Sequence, residues 1–392
     1  LFFLRKATGN SKIYCTAGAT PAKAKNTAAA TTIWRKNKFL HNQVELSGDE
    51  VMISSKELIY ETLAFRPVPR VPYMIEFTIP AMQKLLSCPD GRELYSRLDN
   101  DIIASKVIKI EYGVRNEKGL YTDEFGVVWD RSIDPDIGVP KSTSTLESLL
   151  QYPMPDPANE NRYEQLEQNL KNHPEKFHIM AFDFALYERA WSLRGMQNLF
   201  IDLIDRPDLV EALLDKILCF NLAVMEIGLE KYPKVDGVYF GDDFAAQTGL
   251  QMGAKLWTAI IKPKLKKQYG FARQAGKKVF IHSCGKVQEL FDDFIELGVD
   301  CFNPFQPEVM DVQRCLDEYH GRLAFHGGIS TQKLLPYATV IEVEAQVDKL
   351  LKKGRDGGYI ISPAHATPAD AKTQNICAML RKILGQPTNH SL

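Results

Sequence analysis

Residues 71–80 read Val71-Pro72-Tyr73-Met74-Ile75-Glu76-Phe77-Thr78-Ile79-Pro80. An apolar run suited to a buried parallel strand ends near a glutamate and passes into a Thr-Ile-Pro turn. A doubly wound nucleotide-binding sheet needs a glycine-rich phosphate loop directly after its first strand, and no glycine stands here. A closed eight-stranded barrel instead places polar, chemically active residues just past the ends of several strands. Working outward, comparable runs occur at Phe177–Phe182, Gly237–Gly241, Val279–His282, Cys301–Phe305, Leu323–Phe325 and Gly358–Ile361, with an eighth near Val107–Tyr112. Glu76, Asp183, Asp242, Asp243, His282, Cys284, Asn303, Gln306 and His365 stand at or just past such ends. Amphipathic stretches lie between them at Met196–Tyr232, where Pro207 starts a second helix, and at Leu256–Ala275 and Ile341–Lys353. This alternation predicts an α/β fold, a (β/α)8 TIM barrel, with Gly119–Trp129 as a small inserted β-hairpin.

The ends of the chain differ from this middle. Up to Leu40 there are eight basic residues and no acidic one, and Thr16–Thr32 is rich in Ala, Thr and Lys. Such composition buries too little apolar area to order itself. It has the character of an organellar transit peptide, or more simply of sequence upstream of a natural start at Met52. The expected organisation is a disordered or non-native extension over 1–51, the barrel over 52–385 and a flexible tail over 386–392. Of the 392 residues, 45% are hydrophobic and 25% charged, with a net charge of −1. That balance gives no general attraction to nucleic acid or to a membrane surface. No apolar run reaches the roughly 20 residues of a membrane span. The seven cysteines, at 15, 88, 219, 284, 301, 315 and 377, have no disulfide-framework spacing, so a reducing cytoplasmic setting is expected.

The chemistry concentrates at Phe280-Ile281-His282-Ser283-Cys284-Gly285. Residues two apart in an extended segment point the same way, so His282 and Cys284 converge. Imidazole and thiolate suit zinc, and a catalytic zinc takes about three protein ligands with one open position. The pair alone is as readily a buried structural His and Cys. A third ligand has to come from another strand end. His365, in the loop after the last strand, is the expected one, and His326, before Gly327-Gly328, competes with it. The diglycine is expected to let backbone approach a ligand or anion closely. Tyr239-Phe240-Gly241-Asp242-Asp243 supplies two adjacent carboxylates, one to serve as a base or orient a ligating His, the other to cap a helix. Glu76, Asp183, Gln306 and Tyr187 are further pocket candidates, each equally readable as a cap or a core hydrogen bond. No serine nucleophile elbow, phosphate-binding loop or C-x-x-C pair is present.

From about Met52 to Leu384 the chain resembles the uroporphyrinogen decarboxylase superfamily, which also includes zinc-dependent methyltransferases that pass methyl groups between a corrinoid and a thiol. The resemblance is carried by Leu186-Tyr187-Glu188-Arg189-Ala190-Trp191, Phe240-Gly241-Asp242-Asp243, Phe280 to Gly285, Asn303-Pro304-Phe305-Gln306-Pro307, Gly327-Gly328-Ile329-Ser330-Thr331 and Gly357-Gly358-Tyr359-Ile360. It implies a (β/α)8 barrel. The decarboxylase has an arginine-rich segment of the form M-R-Q-A-G-R after its first strand. The matching stretch here is Met74-Ile75-Glu76-Phe77-Thr78-Ile79, with isoleucine at both arginine positions and a glutamate besides. Such a segment repels a polycarboxylate. The decarboxylase's pocket aspartate has no clear counterpart either; loose matching falls near Lys106. Tyr187 and His365 do match its pocket residues.

His282-Ser283-Cys284-Gly285 is similar to the H-x-C zinc pair of the methyltransferases, whose third ligand is a cysteine where this chain has His365. The resemblance therefore implies Zn2+ on His282, Cys284 and His365, and a thiol acceptor activated at the open position. The methyl group would come from a corrinoid brought by a partner protein, since no cobalamin-binding motif is visible. Asp242, Asp243 and Tyr187 are the expected catalytic groups. Glu76, Asp183, Gln306 and His326 are the expected substrate contacts, with Phe244 and Trp257 as a pocket or docking wall. The alternatives are uroporphyrinogen decarboxylation, zinc-assisted chemistry on an oxygen substrate such as an aryl methyl ether, and a barrel that binds a ligand without turning it over.

Overall fold

In the computed structural model, which describes residues 53–108, 119–132, 138–141 and 144–386, the apolar runs line up edge to edge as one parallel sheet. Its strands are β1 (Ile102–Ile108), β2 (Phe177–Phe182), β3 (Gly237–Gly241), β4 (Lys278–His282), β5 (Cys301–Phe305), β6 (Ala324–Ile329) and β7 (Tyr359–Pro363). Their order in the sheet is their order in the chain, and every neighbouring pair is parallel. Helices cross between them, the longest being Pro207–Lys231, opened by Pro207 where the missing N–H costs nothing. The sheet is curled. Strands buried on both sides read as continuous apolar runs, which is why β2, with all six residues buried, was legible.

Two strands depart from expectation. β1 begins at Ile102, ahead of the expected Val107–Tyr112, because Ser105 and Lys106 interrupt its apolar pattern; residues 109–118 lie outside the described residues. The buried Ser105 hydroxyl accepts a hydrogen bond from Asn169 Nδ2 at 2.9 Å, which is what lets it sit in the strand. β6 runs on through Gly327 and Gly328, which resemble a turn. A Cβ on Gly327 would lie 2.7 Å from the Phe305 nitrogen, and one on Gly328 would strike the Tyr359 hydroxyl. The diglycine thus serves close strand packing, and Tyr359 donates to the Gly327 carbonyl at 2.7 Å.

The segment Val71–Phe77 lies between β7 and β1 without forming a ladder. It makes isolated parallel bridges, Tyr73 to Ile361 and Phe77 to Thr367. On the other side the Asp101 N–H donates to the Tyr73 carbonyl at 3.0 Å. Pro72 has no N–H to give. The N–H groups of Tyr73 and Ile75 go to side chains instead, those of Asp101 (3.0 Å) and Asn100 (2.9 Å).

The N-terminal rim of the sheet is covered by the helix Ser55–Leu63, entered through a capping box between Ser54 and Glu57. Ile59 and Leu63 pack on Ile102, Phe177, Phe280, Cys301, Ala324 and Ile360, all at or near the starts of their strands. Full burial of each of these two side chains contributes about 1.5–3 kcal/mol. Between β1 and β2, Leu120–Thr122, Val128–Asp130 and Val139–Pro140 form a small antiparallel sheet. The expected extension 1–51 and residues 387–392 of the expected tail lie outside the described residues.

Candidate metal centre at the strand ends

β4 delivers His282 at its last position, opposite Gly241 on β3 and Asn303 on β5. Ser283 is spent on its neighbours: its N–H donates to the Asn303 carbonyl at 2.8 Å and its hydroxyl accepts from the Phe244 N–H at 2.9 Å. That holds the strand extended for two more residues and returns Cys284 to the side of His282. Gly285 then turns the chain at φ +88°. A Cβ there would lie 2.6 Å from the carbonyl oxygens of Ala245 and Ala246, so no other residue fits without movement. The outcome is 3.3 Å between Cys284 Sγ and His282 Nε2. His365, from the loop after β7, sets its ring 5.7 Å from that of His282. One ligand atom from each of His282, Cys284 and His365 lies within 4.8 Å of the others.

Two donors of a tetrahedral zinc stand roughly 3.3–3.8 Å apart, given bonds of about 2.0–2.3 Å. The His282–Cys284 distance matches that, and two imidazoles with one thiol leave a fourth position open. The surroundings favour the same reading. Asn303 Oδ1 lies 2.6 Å from His282 Nδ1, so it accepts the ring proton there and leaves the Nε2 lone pair for the cluster. Asn303 is itself held, donating to the His326 carbonyl at 3.1 Å and accepting from the Tyr239 hydroxyl at 3.3 Å. Asp243 Oδ1 accepts from the Cys284 N–H at 2.7 Å and stands 3.8 Å from His282 Nε2. Burial, reinforced by Asp243 and Glu188, pushes the Cys284 thiol well up, so without a cation beside it the sulfur keeps its proton. Burial followed by the nearby His282 lowers His365 to about 4, which keeps it in the neutral form that binds metals.

The remaining expected site residues divide into three groups. Glu76, Asp183 and Asp243 gather around the cluster, with Lys106 Nζ 2.9 Å from Asp183 Oδ2. Asp242, Gln306 and Tyr187 support it from behind. The Asp242 carboxylate accepts from the N–H groups of Leu186 (3.1 and 3.0 Å) and Glu188 (2.9 Å), fixing the start of the helix Tyr187–Arg194; burial raises it to about 7. Gln306 Oε1 takes the Gly285 N–H at 2.7 Å, and the buried Tyr187 hydroxyl donates to Gln251 Oε1 at 3.0 Å. His326 is buried in β6 beside His282, lowered to about 4 by its loss of water. Phe244 and Trp257 are core residues, their rings 5.8 Å apart in an edge contact and at most 1% exposed, so they form no docking wall.

Three residues of the site carried no assigned role in the sequence. Asn303 was visible as a polar strand end, but its pairing with His282 is a matter of register. Tyr239 faces His282 at 6.1 Å between ring centres. Glu188, within the Tyr187–Arg194 helix, is a buried carboxyl raised well above its usual range by burial and by Asp243 and Asp242. A cleft of about 330 Å3 reaches the cluster at His365 and opens along Thr78, Thr331, Gln332 and Asp370.

Fold and site together define an α/β protein with a curled parallel sheet and its polar groups collected at the C-terminal strand ends. The chain belongs to the uroporphyrinogen decarboxylase (URO-D) family, whose sequence model matches residues 132–383. Among solved structures it is similar to a methyltransferase from Methanosarcina mazei, at 14% identity and a TM-score of 0.55, over 84% of this chain and 98% of that one. At that identity the likeness is one of fold. A Xaa-Pro dipeptidase with bound methionine in its active site aligns at 12% identity over 56% of this chain and 58% of its own, with a TM-score of 0.29. No curated protein matches the chain. Among the described residues no helix is long and apolar enough to cross a membrane.

Proposed function

We propose that the chain is a zinc-dependent methyltransferase of the URO-D family, passing a methyl group between a corrinoid carried by a partner protein and a small thiol. The reading takes the curled sheet, with Val71–Phe77 beside its open edges, as a (β/α)8 barrel. What carries it is the His282–Cys284–His365 cluster, three metal-donor side chains from two strand ends, two of them 3.3 Å apart and all within 4.8 Å of one another. A zinc ion held there supplies an open position at which a thiol is acidic enough to be a thiolate at neutral pH. The chain's own residues do the rest. Asn303 holds the His282 ring by its Nδ1 proton, and Asp243 holds the Cys284 backbone. With one oxygen 3.8 Å from His282 Nε2, Asp243 is also the nearest carboxylate to receive the proton that an incoming thiol gives up. Asp242 and Gln306 keep the supporting helix and the Gly285 turn in place.

The test is the metal content of the purified chain by elemental analysis, beside Cys284→Ala and His365→Ala. The expected result is close to one zinc per chain in the parent and a loss in both variants. A parent that takes up no zinc even when supplied with it removes the methyl-transfer reading. Family membership then favours a metal-free activity such as uroporphyrinogen decarboxylation, which Cys284→Ala would leave mostly intact.

A further inference from the structure

The approach to the cluster has a lopsided charge. Glu76 stands at the end of the Val71–Phe77 segment, its carbonyl accepting from the Thr367 N–H at 2.8 Å, two residues past His365; Asp183 follows the last residue of β2, and Lys106 lies on β1. Lys106 is engaged with Asp183 at 2.9 Å. The Glu76 side chain opens to the solvent of the mouth, yet among the described residues it has no hydrogen-bond or ion-pair partner. The protein around it strips away much of its water, and Asp183 adds repulsion. Both lift its carboxyl above the usual range, while Lys106 and His282 pull the other way. Beside it stands Tyr239, close enough to Glu76, Asp183, Asp243 and Cys284 for all four to bear on its hydroxyl. A carboxylate without a fixed partner is stabilised by any cation a ligand brings, and an aromatic ring adds to that attraction. An anion entering the same space meets two carboxylates and one lysine already in use.

We propose that Glu76 sets the charge of the small acceptor: the thiol bound at the metal centre carries a cationic group, an ammonium or alkylated ammonium, seated against Glu76 and Tyr239. Resting on the zinc–thiol reading above, this names the class of molecule that the same site takes. Glu76 acts by positioning the acceptor and takes no part in metal binding, so its removal changes which thiol binds and leaves the metal in place.

The experiment loads the full chain with Co2+, whose spectrum reports thiolate ligation, and titrates three small thiols of different charge. These are cysteamine (cationic), 2-mercaptoethanol (neutral) and 3-mercaptopropionate (anionic), read by the sulfur-to-cobalt absorption band. Cysteamine should bind tightest, about tenfold or more ahead of 3-mercaptopropionate, and salt should narrow the gap. Glu76→Gln should bring the ratio close to one, with cobalt stoichiometry and 2-mercaptoethanol affinity unchanged. Equal affinity for the three thiols in the parent, or an unchanged preference in Glu76→Gln, overturns the charge assignment and leaves the metal reading standing. A protein that takes up no cobalt, or shows no sulfur band with any thiol, overturns the metal reading and this inference with it.

Discussion

At the scale of single residues, the site depends on which of two neighbours faces inward. Asp242 and Asp243 are adjacent and chemically identical, and the sequence alone could not choose between them. The fold aims Asp242 at the backbone of Leu186 and Glu188 and Asp243 at the backbone of Cys284. His282 and Cys284 were legible because a period of two is local. Asn303 as their partner was not, because it becomes one only through the β4–β5 register. Gln306, expected to touch substrate, braces the Gly285 N–H through its Oε1, a contact that no spacing rule encodes. Asn303→Ala removes the group that holds the His282 tautomer while leaving all three donors. Competition with a chromophoric chelator should show zinc affinity falling about 10–100-fold, against complete loss in Cys284→Ala. An unchanged affinity would mean that the 2.6 Å contact does not orient the ring.

At the scale of elements, a fully buried ion pair helps to fasten the small antiparallel sheet to the helix Tyr187–Arg194. Arg189 Nη1 lies 2.8 Å from Asp123 Oδ2, with both side chains at most 1% exposed. The guanidinium also stacks 3.9 Å from the centre of the Phe125 ring. Asp123 in turn accepts from the N–H groups of Phe125 and Val127 and from Trp129 Nε1. Arg189→Met deprives a buried carboxylate of its cation, and a change of this kind costs about 3–5 kcal/mol. Urea denaturation should show that loss as a lower midpoint with an unchanged slope. A midpoint near the parent's would show the pair to be dispensable for holding the sheet. The turn within this sheet could be read from its residues, whereas the partner of Arg189 lies 66 positions away and could not. The Val71–Phe77 segment makes the complementary point: its apolar pattern is that of a strand, but Pro72 and the side chains of Asn100 and Asp101 take it out of the ladder.

At the scale of the whole molecule, the alternation of apolar runs and amphipathic helices was enough to foresee an α/β sheet in chain order, because burial on both faces writes itself into composition. Stability should also carry the mark of the buried histidines. His326 is lowered from the ordinary 6.5 to about 4 in the fold, so the unfolded chain takes up its proton first as pH falls. The contribution of neutral His326 is therefore complete above about pH 6.5 and is lost as pH drops towards 4, a difference on the order of 3 kcal/mol. In metal-free protein the Tm should fall across that window, and His326→Gln should fall less steeply; parallel curves for the two proteins would remove His326 as the cause. The helix Ser55–Leu63 has a consequence for traffic. By covering the strand starts it leaves, among the described residues, the C-terminal strand ends as the side from which His282 is approached; on the proposed reading, a small molecule bound at the cluster would enter before a large partner settled there and leave only after the partner had gone. Turnover would then follow a strict queue, with the smaller guest first in and last out.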